Sequence, residues 1–367
     1  MGVEFIGMIG AQAASEIHPP HGPAIDRDYV RRFAQAHEDA GFDRILIGYF
    51  SNGPDGFLVA AAAAWATERL GLMLAHRPGF VAPTLAARKL ATLDHFSSGR
   101  LAIHVISGGD DNDQHKDGDY LAHDERYART DEYVEILKRI WTSDRPIDHE
   151  GKYYRFNAAF SDVKPLQKPQ LPIYFGGSSD AAIEIAGKHA DVYALWGEPL
   201  DEAALTIRKV RASAARHGRE VRFSLSMRPV LAATEQEAWV RADHIIQTIQ
   251  TMRGKAPLSL TKNTPQNVGS QRLLAAAARG KVLDKRLWTE VAAATGARGN
   301  TTSLVGTPEQ VAEALLEYYQ LGVTTFLIRG FDPLEDAIDY GRELIPLVRQ
   351  EIAKREANAA IKWSAAG

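Results

Sequence analysis

Eight short apolar runs, alternating with stretches of helical periodicity, constrain this chain more than any other feature. The runs are Val3–Met8, Arg44–Ile47, Gly71–Ala75, Leu101–Ile106, Ile173–Phe175, Val192–Leu195, Arg222–Leu225 and Thr325–Ile328. Among them lie amphipathic stretches such as Asp28–Ala40, Thr84–Phe96, Arg126–Trp141, Asp201–His217 and Pro333–Arg349. Start signals mark several helices: Pro83-Thr84, Glu202 in a first turn, and the cap Thr307 followed by Pro308-Glu309-Gln310. Strands alternating with helices eight times predict an α/β chain folded as a (β/α)8 TIM barrel with insertions. The rival, an open doubly wound sheet, carries a glycine fingerprint after its first strand. Here that turn reads Ile9-Gly10-Ala11-Gln12, with no G-x-G-x-x-G.

With 367 residues, 45% of them hydrophobic, the chain can bury a full core. We expect one barrel domain over 1–352 and a C-terminal tail over 353–367. Two segments are too long for simple connections, Asn157–Pro169 and Gln247–Gly306. Loops beyond about 15 residues are usually functional lids or carry inserted elements. The second is the expected lid, between strands seven and eight. The formal net charge of −3 leaves no basic footprint for nucleic acid. With no cysteine, the chain has no disulfide, thiolate metal site or cysteine nucleophile. The N-terminus carries no basic leader, and runs such as Leu58–Thr67 fall short of the roughly 20 residues of a membrane span. A soluble, cytoplasmic protein is expected.

A barrel binds its ligand at the C-terminal ends of its strands. After strand five comes Gly176-Gly177-Ser178-Ser179, and the next helix opens at once. The glycines permit a tight turn, and the helix N-terminus offers free N–H groups beside two hydroxyls, which suits a phosphate. Other strand ends supply Gly48-Tyr49-Phe50-Ser51, His76-Arg77-Pro78-Gly79, His104 with Ser107-Gly108-Gly109-Asp110, Trp196-Gly197-Glu198, Ser226-Met227-Arg228 and Arg329-Gly330-Phe331. A rim of small residues, arginines and aromatic plates fits a planar phosphorylated cofactor beside a polar or anionic substrate. Taken singly, Trp196 reads as a half-buried aromatic, His104 as a core histidine, and Arg228 or Arg329 equally as a rim salt-bridge partner. His18 and His21 have no third ligand at metal spacing, so we expect no metal.

These residues resemble the bacterial luciferase-like flavin monooxygenases, and within them the alkanesulfonate monooxygenases, from about Ile25 to Arg349. The matching words are Arg77-Pro78, Pro83–Arg88, Ala91–Asp94, Ser98-Gly99-Arg100, His123–Tyr127, Tyr174–Ser179, Trp196–Pro199, Leu287-Trp288 and Leu304–Pro308. The resemblance implies FMN, used as FMNH2 that a separate NAD(P)H:flavin reductase supplies, with O2 as co-substrate through a flavin C4a-peroxide. It implies phosphate contacts from Gly176, Gly177, Ser178, Ser179 and Tyr127 with Arg126 beside them, and ring contacts from His104 and Ser107. It also implies a homodimer or homotetramer and a lid that excludes water. The substrate side departs from the alkanesulfonate pattern. The seventh strand has Ser226 and Arg228 for an arginine and a histidine. Ala11 stands near the family's histidine, Gly53 or Pro54 near its cysteine, and Phe331 in place of its tyrosine. Trp196 matches, and the lid arginine maps to Arg298. The expected catalytic set is therefore Arg228, Trp196 and Arg298. The expected reaction is oxygenation of a small organic molecule, an alkanesulfonate or other organosulfur compound first. The alternatives are a sulfone, amine, heterocycle or flavin substrate, a deazaflavin-dependent dehydrogenase, and a non-catalytic flavin-binding protein.

Overall fold

The computed structural model describes residues 2–254, 265–299 and 301–364. Its thirteen strands are β1 (Glu4–Ile9), β2 (Arg44–Ile47), β3 (Gly71–His76), β4 (Leu101–Val105), β5 (Ile147–Glu150), β6 (Arg155–Ala159), β7 (Ile173–Gly176), β8 (Val192–Trp196), β9 (Arg222–Leu231), β10 (Val282–Leu283), β11 (Leu287–Trp288), β12 (Ser303–Gly306) and β13 (Val323–Ile328). The helices are α1 (Arg27–Asp39), α2 (Gly56–Ala66), α3 (Pro83–Phe96), α4 (Asp111–Lys116), α5 (His123–Thr142), α6 (Asp180–His189), α7 (Leu200–Arg216), α8 (Glu235–Gly254), α9 (Val268–Arg279), α10 (Glu290–Thr295), α11 (Pro308–Gln320), α12 (Pro333–Asp339) and α13 (Ile345–Ser364). A π-helical turn, Tyr340–Leu344, joins the last two.

Eight strands pair in the order β1-β2-β3-β4-β7-β8-β9-β13, and β13 returns to β1. Every neighbouring pair is parallel, and the ring closes as a (β/α)8 barrel. All eight expected strands are present. Closure gives each strand two faces. One face, with Phe5, Ile45, Leu72, Ile103, Phe175, Tyr193, Leu225 and Phe326, packs under the helices. The other meets at the axis, where Ile6, Met73, Ala102, Tyr174, Val192 and Leu327 form a separate core.

Helix starts follow local chemistry. Asp26 caps α1 by accepting from the backbone N–H of Asp28 and Tyr29, and Thr307 with Gln310 closes a capping box on α11. The structure extends strand seven, expected over Arg222–Leu225, to Leu231. Past the barrel rim it pairs with β12, Arg228 to Ser303 through Leu231 to Gly306. The apolar pattern breaks at Ser226 and Arg228, and so hid this extension. The segment Gln247–Gly306 carries the end of α8, then α9, β10, β11, α10 and β12. Its residues 255–264 and 300 lie outside the described residues. The helix expected over Pro333–Arg349 is interrupted by the π turn, and α13 carries the tail helically to Ser364. The hairpin β5–β6 was not expected.

Asp94, fully buried on α3, ties the long connection before β7 to the barrel. Its carboxylate accepts from the backbone N–H of Leu166 and Gln167, at 2.8 and 3.2 Å, and from the Gln167 side chain at 2.7 Å. Asp94→Ala should lower stability by about 2–4 kcal/mol, because it removes the charged acceptor of three part-buried hydrogen bonds and leaves a cavity at a fully buried position. Denaturant unfolding measures this.

Candidate active site

At the C-terminal end of the barrel, the row facing the axis changes from large to small. Register with the axial core places Met8, Gly48, Ala75, His104, Gly176, Ala194 and Ser226 in that upper row. Their outward neighbours Ile47, Leu74, Val105, Phe175, Leu195 and Leu225 are buried, while all but Ala75 of the inward row keep partial exposure. In a filled barrel the axial positions would be the more buried ones. Here the upper row lines a hollow with small side chains for a floor.

Beside the hollow stands the Gly176–Ser179 turn. A Cβ on Gly177 would come within 2.7 Å of Ala182 Cβ and 3.0 Å of Tyr127 Oη, and its φ of +141° favours glycine. Ser179 caps α6 by accepting from the Ala182 N–H at 3.2 Å, and its hydroxyl also hydrogen-bonds the Tyr127 side chain. The turn therefore brings together the Tyr127 hydroxyl, two serines and a helix N-terminus. The inserted segment closes over it. A Cβ on Gly269, in α9, would lie 3.0 Å from the Trp196 ring and 3.5 Å from Ser178 Oγ. Trp196 also packs against the cluster of Leu273 of α9, Ala292 of α10 and Ala297 just beyond it. The residue before α9, Asn267, crowds Gly109 of the β4 loop, and the Gln266 side chain accepts from the Asp111 N–H at 3.0 Å.

His104 reaches the same hollow. Burial pushes its imidazole down to about 4, so it is neutral near pH 7. Its buried Nδ1 has no hydrogen-bond partner among the described residues, and its Cε1 lies 3.7 Å from where a Gly176 Cβ would stand. The other expected contacts sit differently. Ser107 shares a 2.9 Å hydrogen bond with Thr130 of α5. Arg126, 3% exposed, pairs with Asp111 at 2.9 Å and donates to the Leu121 carbonyl, so its charge holds α4 in place. Arg298 is exposed, and no bond joins it to Arg228 or Trp196 among the described residues.

Arg228 is fully buried. It donates to Glu16 at 2.8 Å and to the Gly330 carbonyl at 2.9 Å, and its guanidinium lies 3.6 Å over the Phe331 ring. Glu16 also accepts from Arg329 at 2.9 Å. Burial alone would raise the Glu16 carboxyl, but the two guanidiniums overcome it and hold it at about 2. The sequence reading missed Glu16, since its partners lie 212 and 313 residues away and a loop carries no periodic signal.

Glu198, 2% exposed, follows Trp196 and ties α9 to the barrel through a 2.6 Å ion pair with Arg272. Burial raises it to about 7, although Arg272 opposes the shift. A carboxyl whose folded value exceeds its unfolded value adds stability below the unfolded value, and loses it as pH rises through the folded one. Stability should therefore fall by up to about 3 kcal/mol between roughly pH 4.5 and 7. Glu198→Gln should flatten that part of the profile, measured by denaturant unfolding at each pH.

The fold is shared with solved structures of low sequence identity. A riboflavin lyase, solved with modified FMN and riboflavin, is 23% identical with a TM-score of 0.78, covering 96% of this chain and 92% of its own. DmoA from Hyphomicrobium sulfonivorans is 21% identical with a TM-score of 0.76, over 95% and 88%. The EDTA monooxygenase of Chelativorans sp. BNC1 is 18% identical with a TM-score of 0.75, over 96% and 94%. The sequence pattern of the luciferase-like monooxygenases matches residues 3–325, nearly the whole chain, and the chain therefore belongs to the luciferase-like monooxygenase family.

Proposed function

We propose that this protein is an FMN-dependent monooxygenase of the two-component kind, oxidising a small organic molecule with O2. The observation that carries the reading is the small-floored hollow beside the Gly176–Ser179 turn, with hydroxyls and a helix N-terminus gathered at its edge. The residues present fit FMN: Gly177 lets the turn pack against Ala182 and Tyr127 where no Cβ would fit, and the buried His104 Nδ1 has no hydrogen-bond partner among the described residues. Gly176, Gly177, Ser178, Ser179 and Tyr127 would hold the phosphate, and His104 would meet the ring as a neutral imidazole. Bound reduced FMN would supply the electrons that activate O2 for insertion. With no nucleotide fingerprint after β1, a separate NAD(P)H:flavin reductase would provide that reduced flavin.

The chain's own part is to orient and to exclude water. Trp196 walls the hollow, and α9, pinned by the Arg272–Glu198 pair, covers the turn as a lid. Arg228 and Arg329 lie where a polar substrate head would enter, which favours an organosulfur acid such as an alkanesulfonate, cleaved to sulfite. Arg298, exposed on the segment that carries the lid, would reach the substrate only on further closure. A second copy would cover the apolar face of α2 and α3. There Leu58 and Trp65 are 73% and 72% exposed, and Phe96 is 58% exposed. Sedimentation at micromolar concentration should show a dimer or tetramer, and a lone 40.3 kDa species would rule that out.

The protein should bind FMN far more tightly than riboflavin. Ser178→Ala with Tyr127→Phe should weaken FMN by about 2–4 kcal/mol in fluorescence titration, with riboflavin unchanged. Equal affinity for the two flavins would sink the cofactor reading. Substrate-dependent O2 uptake with reduced FMN, with sulfite released from alkanesulfonates, checks the reaction.

A further inference from the structure

The Gly176–Ser179 turn is held from behind by a residue that no local pattern joins to it. β8 carries Tyr193 on its outward face, in register with Phe175 of β7 and Phe223 of β9. It is 1% exposed, in a layer of apolar side chains where a phenylalanine would pack as well. The hydroxyl sets it apart, because a buried phenol needs a partner. That partner is the Gly177 carbonyl, which accepts from Tyr193 Oη. No backbone N–H among the described residues meets the same carbonyl. Burial, with the Glu198 carboxyl adding to it, raises the Tyr193 phenol well above its ordinary value, so it remains a donor at any working pH.

The Gly177–Ser178 peptide is trans, and a trans peptide points its C=O and N–H in opposite directions. The Gly177 carbonyl turns back toward β8, so the Ser178 N–H turns the other way, out of the packed layer. Among the described residues that N–H has no acceptor. It stands beside the free first-turn N–H groups of α6 and the Ser178 hydroxyl. Gly177, with a φ of +141°, lacks the Cβ that would restrict rotation of the peptide after it. Without an anchor, that peptide is free to turn its carbonyl outward, where the oxygen would repel an anion. Tyr193 opposes this alternative, because turning outward would abandon a buried hydrogen bond.

We propose that Tyr193 is a positioning residue for the turn: by holding the Gly177 carbonyl inward, it presents the Ser178 N–H to a phosphate. This rests on the FMN reading and adds to it a residue buried behind the site. Tyr193 acts through the peptide, so its effect is confined to the phosphate end of the flavin. It faces outward from the barrel, so removing its hydroxyl leaves the inward row that floors the hollow unchanged.

The test is titration of FMN and of riboflavin, by flavin fluorescence, against the native protein, Tyr193→Phe and Tyr133→Phe. Tyr193→Phe keeps the ring and its packing against Phe223, at 6.4 Å between centroids. It should weaken FMN by about 10- to 100-fold and riboflavin by less than about twofold. Tyr133→Phe removes other buried hydroxyl bonds, to His76 and the Val81 carbonyl at 2.7 and 2.9 Å, in which no residue of the turn takes part. It should leave the FMN-to-riboflavin ratio native. An unchanged ratio in Tyr193→Phe, with both flavins equally weakened or neither, would overturn the proposal. So would a like change of ratio in Tyr133→Phe, which would mark a general loosening. One measurement needs no variant: the Ser178 amide proton of the native protein should move downfield in NMR when FMN binds and hardly when riboflavin does. An amide that stays in place with FMN bound would overturn the proposal even if Tyr193→Phe failed to fold. Equal affinity of the native protein for the two flavins would instead refute the phosphate reading beneath it.

Discussion

Closing eight parallel strands into a ring obliges each strand to send alternate side chains to a common axis. The rest of the molecule depends on how that axis is filled. In its middle, Ile6, Met73, Ala102, Tyr174, Val192 and Leu327 pack it solid, which fixes strand register and keeps the barrel rigid. Toward the C-terminal rim the same positions become Gly48, Ala75, Gly176 and Ala194, and the packing stops. The hollow is thus what is left when a rigid ring runs out of large side chains at one end. No flexible loop has to create it.

What surrounds the hollow divides into two kinds of chemistry. On the β7 side are neutral donors: hydroxyls, backbone N–H groups and a helix N-terminus, gathered by glycines that admit no Cβ. On the β9 and β13 side are formal charges held at low solvation, with Glu16 at about 2 and Arg329 pushed down to about 10 by burial and by Arg228. The inserted segment bridges the two sides. Its α9 lies on Ser178 and Trp196, while β12 extends the sheet from Arg228 onward. One insertion therefore covers the cradle and buttresses the charged wall together.

The barrel was legible because apolar runs punctuated by helices leave few alternatives, and all eight expected strands are there. The Gly176–Ser179 turn was legible because its chemistry is local: four consecutive residues and the helix that follows. What escaped notice is what depends on distant partners. Glu16 gains meaning only beside Arg228 and Arg329, and β9 continues past Ser226 only because β12 arrives to pair with it. The hairpin β5–β6 escaped because residues such as Asp148, His149 and Asn157 show no apolar alternation. Arg126 and Ser107 stand where the sequence put them, but their side chains are taken by Asp111 and Thr130, pairings no local pattern announces.

The central claim is that the small-floored hollow and the turn beside it form one flavin site. A crystal structure of the protein soaked with FMN tests it most directly. The account predicts phosphate density against Ser178, Ser179 and Tyr127, with the ring lying over Gly48, Ala75, Gly176 and Ala194. Flavin seated elsewhere on the protein, or a turn left empty at saturating FMN, would contradict it.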